Sequence, residues 1–165
     1  MLQRKQSLFL LTSALCMFVM LAAPYWKISD AAHTVVLSGG SMELTTADGL
    51  QTVMGPLEDG MQLMMTLWLT ISGLLALVLI FLFKDRPRQA LIAGILMVIE
   101  LLTGVSAGWM VSQMEAKLTE AGASDLISGY EWGAALPVVA MVFAWLARRS
   151  ILKDEALVRS VDRLR

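Results

Sequence analysis

Basic residues in this chain fall almost entirely on one side of four apolar segments, a bias that restricts the fold more than any motif does. Arg4 and Lys5 precede the first segment, and Lys84, Arg86 and Arg88 lie between the second and third. Arg148, Arg149, Lys153, Arg159, Arg163 and Arg165 follow the fourth. Only Lys27 and Lys117 occupy the other two connections, which instead carry acids from Asp30 to Glu131. Short loops rich in Lys and Arg are retained on the cytoplasmic side of a membrane. The pattern therefore predicts a multi-pass membrane protein with both its N- and C-termini in the cytoplasm.

Composition agrees. With 57% hydrophobic residues and a mean hydropathy of +0.68, the chain is too apolar for an ordinary soluble domain. The net charge of -1 averages a basic inside with an acidic outside. Spans are expected over residues 7–25, 61–83, 90–113 and 132–147, joined by outer loops 26–60 and 114–131 and followed by a cytoplasmic tail, 148–165. A helix needs about 20 residues to cross the hydrocarbon core, which the middle two spans supply easily. The fourth is short before Arg148, but arginines can snorkel and its helix can begin below Tyr130. Tyr25, Trp26, Trp109, Tyr130 and Trp132 on the outside, with Trp145 inside, mark the boundaries as an aromatic belt would.

Arg4, Lys5, the first apolar run and Ala22-Ala23 also resemble a cleavable signal peptide. Cleavage would leave three spans in the same orientation. The ending Pro24-Tyr25-Trp26, which looks like an interfacial anchor, favours retention. A single cysteine, Cys16, excludes an internal disulfide and reads as a small packing residue.

The long outer loop holds a hairpin signature, Thr34 to Ser38 and Ser41 to Thr45 flanking Gly39-Gly40, a pair that tolerates the positive φ of a tight turn. Pairing across it sets Val35 opposite Leu44 and Leu37 opposite Met42. That apolar face should cover the outer end of the bundle, because a lone hairpin is marginal in water. Trp26 to Ile28 could add a third strand. Asp48-Gly49 and Gly55-Pro56 read as turns, and the second outer loop reads as a short helical extension followed by a Gly/Ser-rich loop.

Glu100 is the one ionisable residue deep inside a predicted span, and an isolated carboxylate there costs several kcal/mol by common scales. Ala93, Met97, Glu100, Gly104 and Gly108 share one helix face. The pair Gly104 and Gly108 is a small-residue spacing that lets another helix pack closely. Glu100 should therefore face protein, neutral and hydrogen-bonded to a hydroxyl such as Ser13, Thr70, Ser72 or Thr103. Three readings follow: interhelical glue, ion or proton handling, or a partner contact. No second intramembrane acid, repeat or broken helix supports a transporter. His33 stands alone, without a metal-ligand cluster. Met61, Met64 and Met65 read as packing residues, with soft-metal binding as the alternative. Nothing suggests a catalytic nucleophile, a phosphate loop or a redox pair, so neither enzyme activity nor a cofactor is expected.

The tail after Arg149 places Ile151, Leu157, Val158, Val161 and Leu164 on one arc, with Glu155 four residues before Arg159. It reads as a basic amphipathic helix beside the membrane, and Arg148, Arg149, Lys153, Arg159, Arg163 and Arg165 are candidate lipid or partner contacts. Its ending, Lys153-Asp-Glu-Ala-Leu-Val-Arg-Ser-Val-Asp-Arg-Leu-Arg165, resembles the closing motif of a domain-of-unknown-function family of four-span membrane proteins from Bacteroidota-type bacteria. The start, Met1-Leu-Gln-Arg-Lys-Gln-Ser7, is similar to that family's opening pattern. The resemblance implies four spans and an inner-membrane address, and no activity.

The expected fold is an all-α membrane protein. A four-transmembrane-helix bundle carries a small extracytoplasmic β-hairpin or sheet and a C-terminal cytoplasmic amphipathic helix. Its expected partners are the lipid bilayer and another membrane protein or a second copy, not nucleic acid. The first functional expectation is a non-enzymatic accessory or assembly subunit; the alternative is a small transporter or proton-coupled channel using Glu100.

Overall fold

The computed structural model describes residues 5–29, 33–55, 60–120 and 127–162, the last of these without the side chains of 159, 161 and 162. Among them are four helices, α1 (Lys5–Met20), α2 (Gly60–Phe81), α3 (Arg86–Glu120) and α4 (Leu136–Asp162). Five strands, β1 (Pro24–Ser29), β2 (His33–Ser38), β3 (Met42–Thr46), β4 (Gln51–Met54) and β5 (Ile127–Tyr130), form one sheet. A 3-10 turn over Trp132–Ala135 leads into α4. Three of the helices, α2, α3 and the Trp132–Val158 stretch containing α4, are long and apolar enough to cross a membrane. The fourth, α1, is apolar and 16 residues long.

The helices pack in a ring, α1 against α2 and α4, and α3 against α2 and α4. Their interior falls into two apolar clusters. Leu10, Ala14, Ala76, Leu79, Leu96, Ala144 and Ile151 belong to the one near the α2–α3 turn. That turn is set by Asp85, which accepts a hydrogen bond from the Arg88 amide, and by Pro87, which suits the first turn of a helix. Gln89 bridges the two helices by donating to the Leu79 carbonyl.

The other cluster lies under the sheet, where Met17, Leu69 and Met110 meet Tyr25, Trp26, Val35 and Leu37. The sheet order is β4-β3-β2-β1-β5, with every pairing antiparallel. Since β1 follows α1 and β5 follows α3, the sheet ties the α1–α2 and α3–α4 connections to one end of the bundle.

The pairing of Val35 with Leu44 and of Leu37 with Met42 is the expected one, and β1 supplies the third strand. The glycines of the turn serve a different purpose from the one expected. Among the described glycines only Gly49 has a positive φ, 78°. Gly39 and Gly40 are needed for close approach. A Cβ on Gly39 would collide with Leu69 Cδ1 and the Met20 carbonyl, and one on Gly40 would lie 2.8 Å from the Leu21 carbonyl oxygen. The bare turn lets both amides donate to carbonyls at the end of α1, Gly39 N to Met20 O at 3.0 Å and Gly40 N to the O of Leu21, the next residue, at 2.8 Å. Carbonyls at a helix end have no partner in their own helix, so the hairpin completes α1.

Four further differences have physical causes. The first helix ends at Met20, short of the expected residue 25, because Pro24 to Ser29 pair as a strand. Tyr25 and Trp26 consequently belong to β1 and are buried between the sheet and the bundle. The second outer loop does begin as a helix, to Glu120, but Ile127–Tyr130 then join β1 as an unexpected strand. In α4 the helix runs past Ala147 to Asp162 without a break, and fully buried Ile151 keeps it within the bundle. The expected tail helix is thus a continuation of α4. Of the predicted turns, Asp48-Gly49 is present, whereas Pro56 lies outside the described residues.

Candidate functional site

Between the two apolar clusters lies a thin polar layer. Ser13, Ser72, Glu100 and Thr103, from α1, α2 and α3, are all fully buried. Glu100 reaches across the bundle to α1, where Ser13 Oγ donates to its Oε1 at 2.5 Å. The other hydroxyls are committed within their own helices: Ser72 to Leu69 O, Thr103 to Ile99 O, and Thr70 to Thr66 O. Glu100 Oε2 has no hydrogen-bond partner among the described residues. One half of the carboxyl therefore joins two helices, while the other half retains unused hydrogen-bonding capacity.

Gly104 and Gly108 lie further along α3 on the Glu100 side. A Cβ on Gly104 would meet only Pro137 Cβ of α4, at 3.5 Å, and one on Gly108 would meet nothing within 4 Å. Both positions leave space where side chains would otherwise pack. Next to Gly104, a cavity of about 250 Å³ lies between α3 and α4, and Glu100 contributes to its wall.

At the opposite end of the bundle, Arg148 Nε donates to the Ala90 carbonyl at 3.3 Å and the Arg149 guanidinium lies 5.5 Å from the Trp145 ring centre. Both arginines thus grip protein while remaining exposed. Lys153 is exposed on α4. The Arg159 side chain, Arg163 and Arg165 lie outside the described residues.

Among the described residues the sheet presents open edges. Strands β4 and β5 terminate it on either side, and every residue of both is exposed. Val53 is 60% exposed and Ile127 75%. His33 opens β2 at the surface. Met61, Met64, Met65 and Met110 line a second cavity of about 380 Å³ with Trp68 and Trp109. Two of these thioethers already accept hydrogen bonds, Met110 from the Tyr25 hydroxyl at 3.2 Å and Met65 from Ser106 at 3.8 Å. Burial pushes the Tyr25 phenol above the ordinary tyrosine range. Among the described residues, no group of three or more His, Cys, Asp or Glu could hold a metal ion.

Sequence reasoning passed over the residues that join sheet to bundle. Gln62 Nε2 donates to the Ser38 carbonyl at 2.8 Å and Thr66 Oγ1 to the Gly39 carbonyl at 2.9 Å, so α2 holds the same turn that completes α1. Gly133 lies so close to the Pro24 carbonyl that any side chain would collide. The available signal was a glutamine in the first turn of an apolar helix, since a buried amide needs partners.

The model of the family described as Domain of unknown function (DUF4293) matches residues 2–164, so the match extends well beyond the two end motifs. No curated protein matches the chain.

Proposed function

This chain belongs to the DUF4293 family, whose function is unknown, and from that premise we propose a non-enzymatic accessory or assembly subunit of a membrane complex. In this reading it sits in the bacterial cytoplasmic membrane, with α1 as a fourth span and both termini inside. The observation that carries the reading is the sheet, held on two helices by backbone and side-chain hydrogen bonds yet open along both edges among the described residues. Proteins usually blunt exposed edges with proline, lysine or a covering element. The sequence Gln51-Thr52-Val53-Met54 has neither proline nor lysine. A strand from a partner's outer domain would satisfy such an edge through main-chain hydrogen bonds. At the other end, Arg148, Arg149 and Lys153 face headgroups or a partner's cytoplasmic segment.

The test is purification of the tagged protein from its own membranes in mild detergent, beside Val53→Lys and Ile127→Lys. Both substitutions are at exposed positions, so the fold should tolerate them. A partner held in fixed ratio by the wild type and lost from either variant is the expected result. A chain that is monomeric and alone in native-like bilayers contradicts the reading, and self-association would replace it with a homo-oligomer.

One observation favours a second reading, a small transporter or proton-coupled channel: Glu100 Oε2 has no partner among the described residues. The unbroken helix around it and the lack of another buried acid among the described residues weigh against this. Proton or substrate flux in proteoliposomes that Glu100→Gln abolishes would establish it; unchanged flux would remove it.

A further inference from the structure

We propose that the groove between α3 and α4 beside Glu100 binds an apolar molecule bearing a hydroxyl, which enters from the bilayer. The cavity of about 250 Å³ is lined by Glu100, Gly104, Val105, Pro137, Val138 and Met141, among others. It lies just below the usual range for small-ligand pockets. Its rim residues Val105 and Val138 are 61% and 58% exposed on the flank of helices long and apolar enough to cross a membrane, so in the proposed topology the opening faces lipid. Gly104 keeps it open, because the nearest atom to a Cβ there is Pro137 Cβ at ordinary contact distance.

Glu100 gives this crevice its chemistry. It is fully buried, its Oε1 is occupied by Ser13, and its Oε2 lacks a partner among the described residues. An unpaired buried polar atom is costly, which favours a ligand that completes it. A hydroxyl can donate or accept, so it complements Oε2 whether or not the carboxyl carries its proton. The remaining lining supplies no cation and no second charged group, which disfavours anionic headgroups and sugars. Glu100 lies ten residues along α3 from Ala90, whose carbonyl receives Arg148. At the helical rise this is about 15 Å, half of the roughly 30 Å hydrocarbon core.

The probe is dicyclohexylcarbodiimide, an apolar reagent, applied to the full-length protein in lipid vesicles and followed by mass spectrometry. The carboxylic acid adds across one C=N bond: its proton moves to nitrogen and its oxygen bonds to the central carbon. The adduct rearranges to an N-acylurea that retains the whole reagent. Labelling is expected at Glu100, with loss of labelling in Glu100→Gln. Gly104→Leu, which fills the groove, should block it. So should Val138→Trp at the exposed rim, which leaves packing intact, whereas Gly108→Leu should not. Octanol should protect Glu100 and octane should not. Failure to label the wild type, equal labelling in both blocking variants, or equal protection by octane would overturn the proposal. So would equally fast labelling by a cationic, water-soluble carbodiimide, which would mark an aqueous path.

Discussion

Ser13 and Glu100 stand 87 positions apart and meet in the middle of the bundle. Removing the hydroxyl with Ser13→Ala leaves both carboxyl oxygens unpaired. It should lower stability by about 1 kcal/mol, a typical magnitude for an interhelical hydrogen bond in a membrane. Glu100→Gln retains an acceptor oxygen and should cost less. Reversible unfolding in mixed detergent micelles measures both, and a Ser13→Ala variant as stable as wild type would show that the bond adds nothing. Glu100 was legible because an acid within a span is expensive. Its partner was legible only as one of four hydroxyls, since helix rotation decides which of them faces inward. At Gly39 the collision with Leu69 and the Met20 carbonyl predicts that Gly39→Ala destabilises by about 1–3 kcal/mol. Gly55→Ala, with open space around it, should be nearly neutral in the same assay.

At the scale of elements, the hairpin register was readable because alternating apolar positions admit one pairing with a buried face. Strand β5 was not. Ile127-Ser-Gly-Tyr has the composition of a loop, and its conformation comes from pairing with β1, far away in sequence. A Ser29→Cys/Ile127→Cys pair, in a Cys16→Ser background, joins residues that face one another across β1 and β5. Antiparallel neighbours lie within disulfide reach, so oxidation should cross-link the α1–α2 and α3–α4 connections. A pair that stays reduced would contradict the register. The length of α4 was not legible, because Arg148 and Arg149 interrupt the apolar run although Ile151 beyond them is fully buried. Ile151→Ala should cost about 2–4 kcal/mol, and Leu157→Ala, at an exposed site, far less; equal effects would mean that α4 leaves the bundle earlier.

Across the whole molecule, three levels are stacked: basic helix ends, an apolar bundle with one thin polar layer, and a sheet whose turn is shared by α1 and α2. The charge bias made the layering legible, and it anticipated that both acidic loops would lie together, as β1 pairing with β5 requires. It could not reveal how the loops are fastened, because Gln62, Thr66 and Gly133 act through backbone partners that exist only once the chain has folded. In the proposed topology the bundle crosses the membrane and presents its sheet outside. Single cysteines replacing Asp48, Lys84 and Ser160, all exposed, test this in a Cys16→Ser background with a membrane-impermeant maleimide on intact cells. Asp48→Cys should react at once, while Lys84→Cys and Ser160→Cys should react only after the membrane is opened. Reaction of Lys84→Cys in intact cells, or protection of Asp48→Cys, would contradict it.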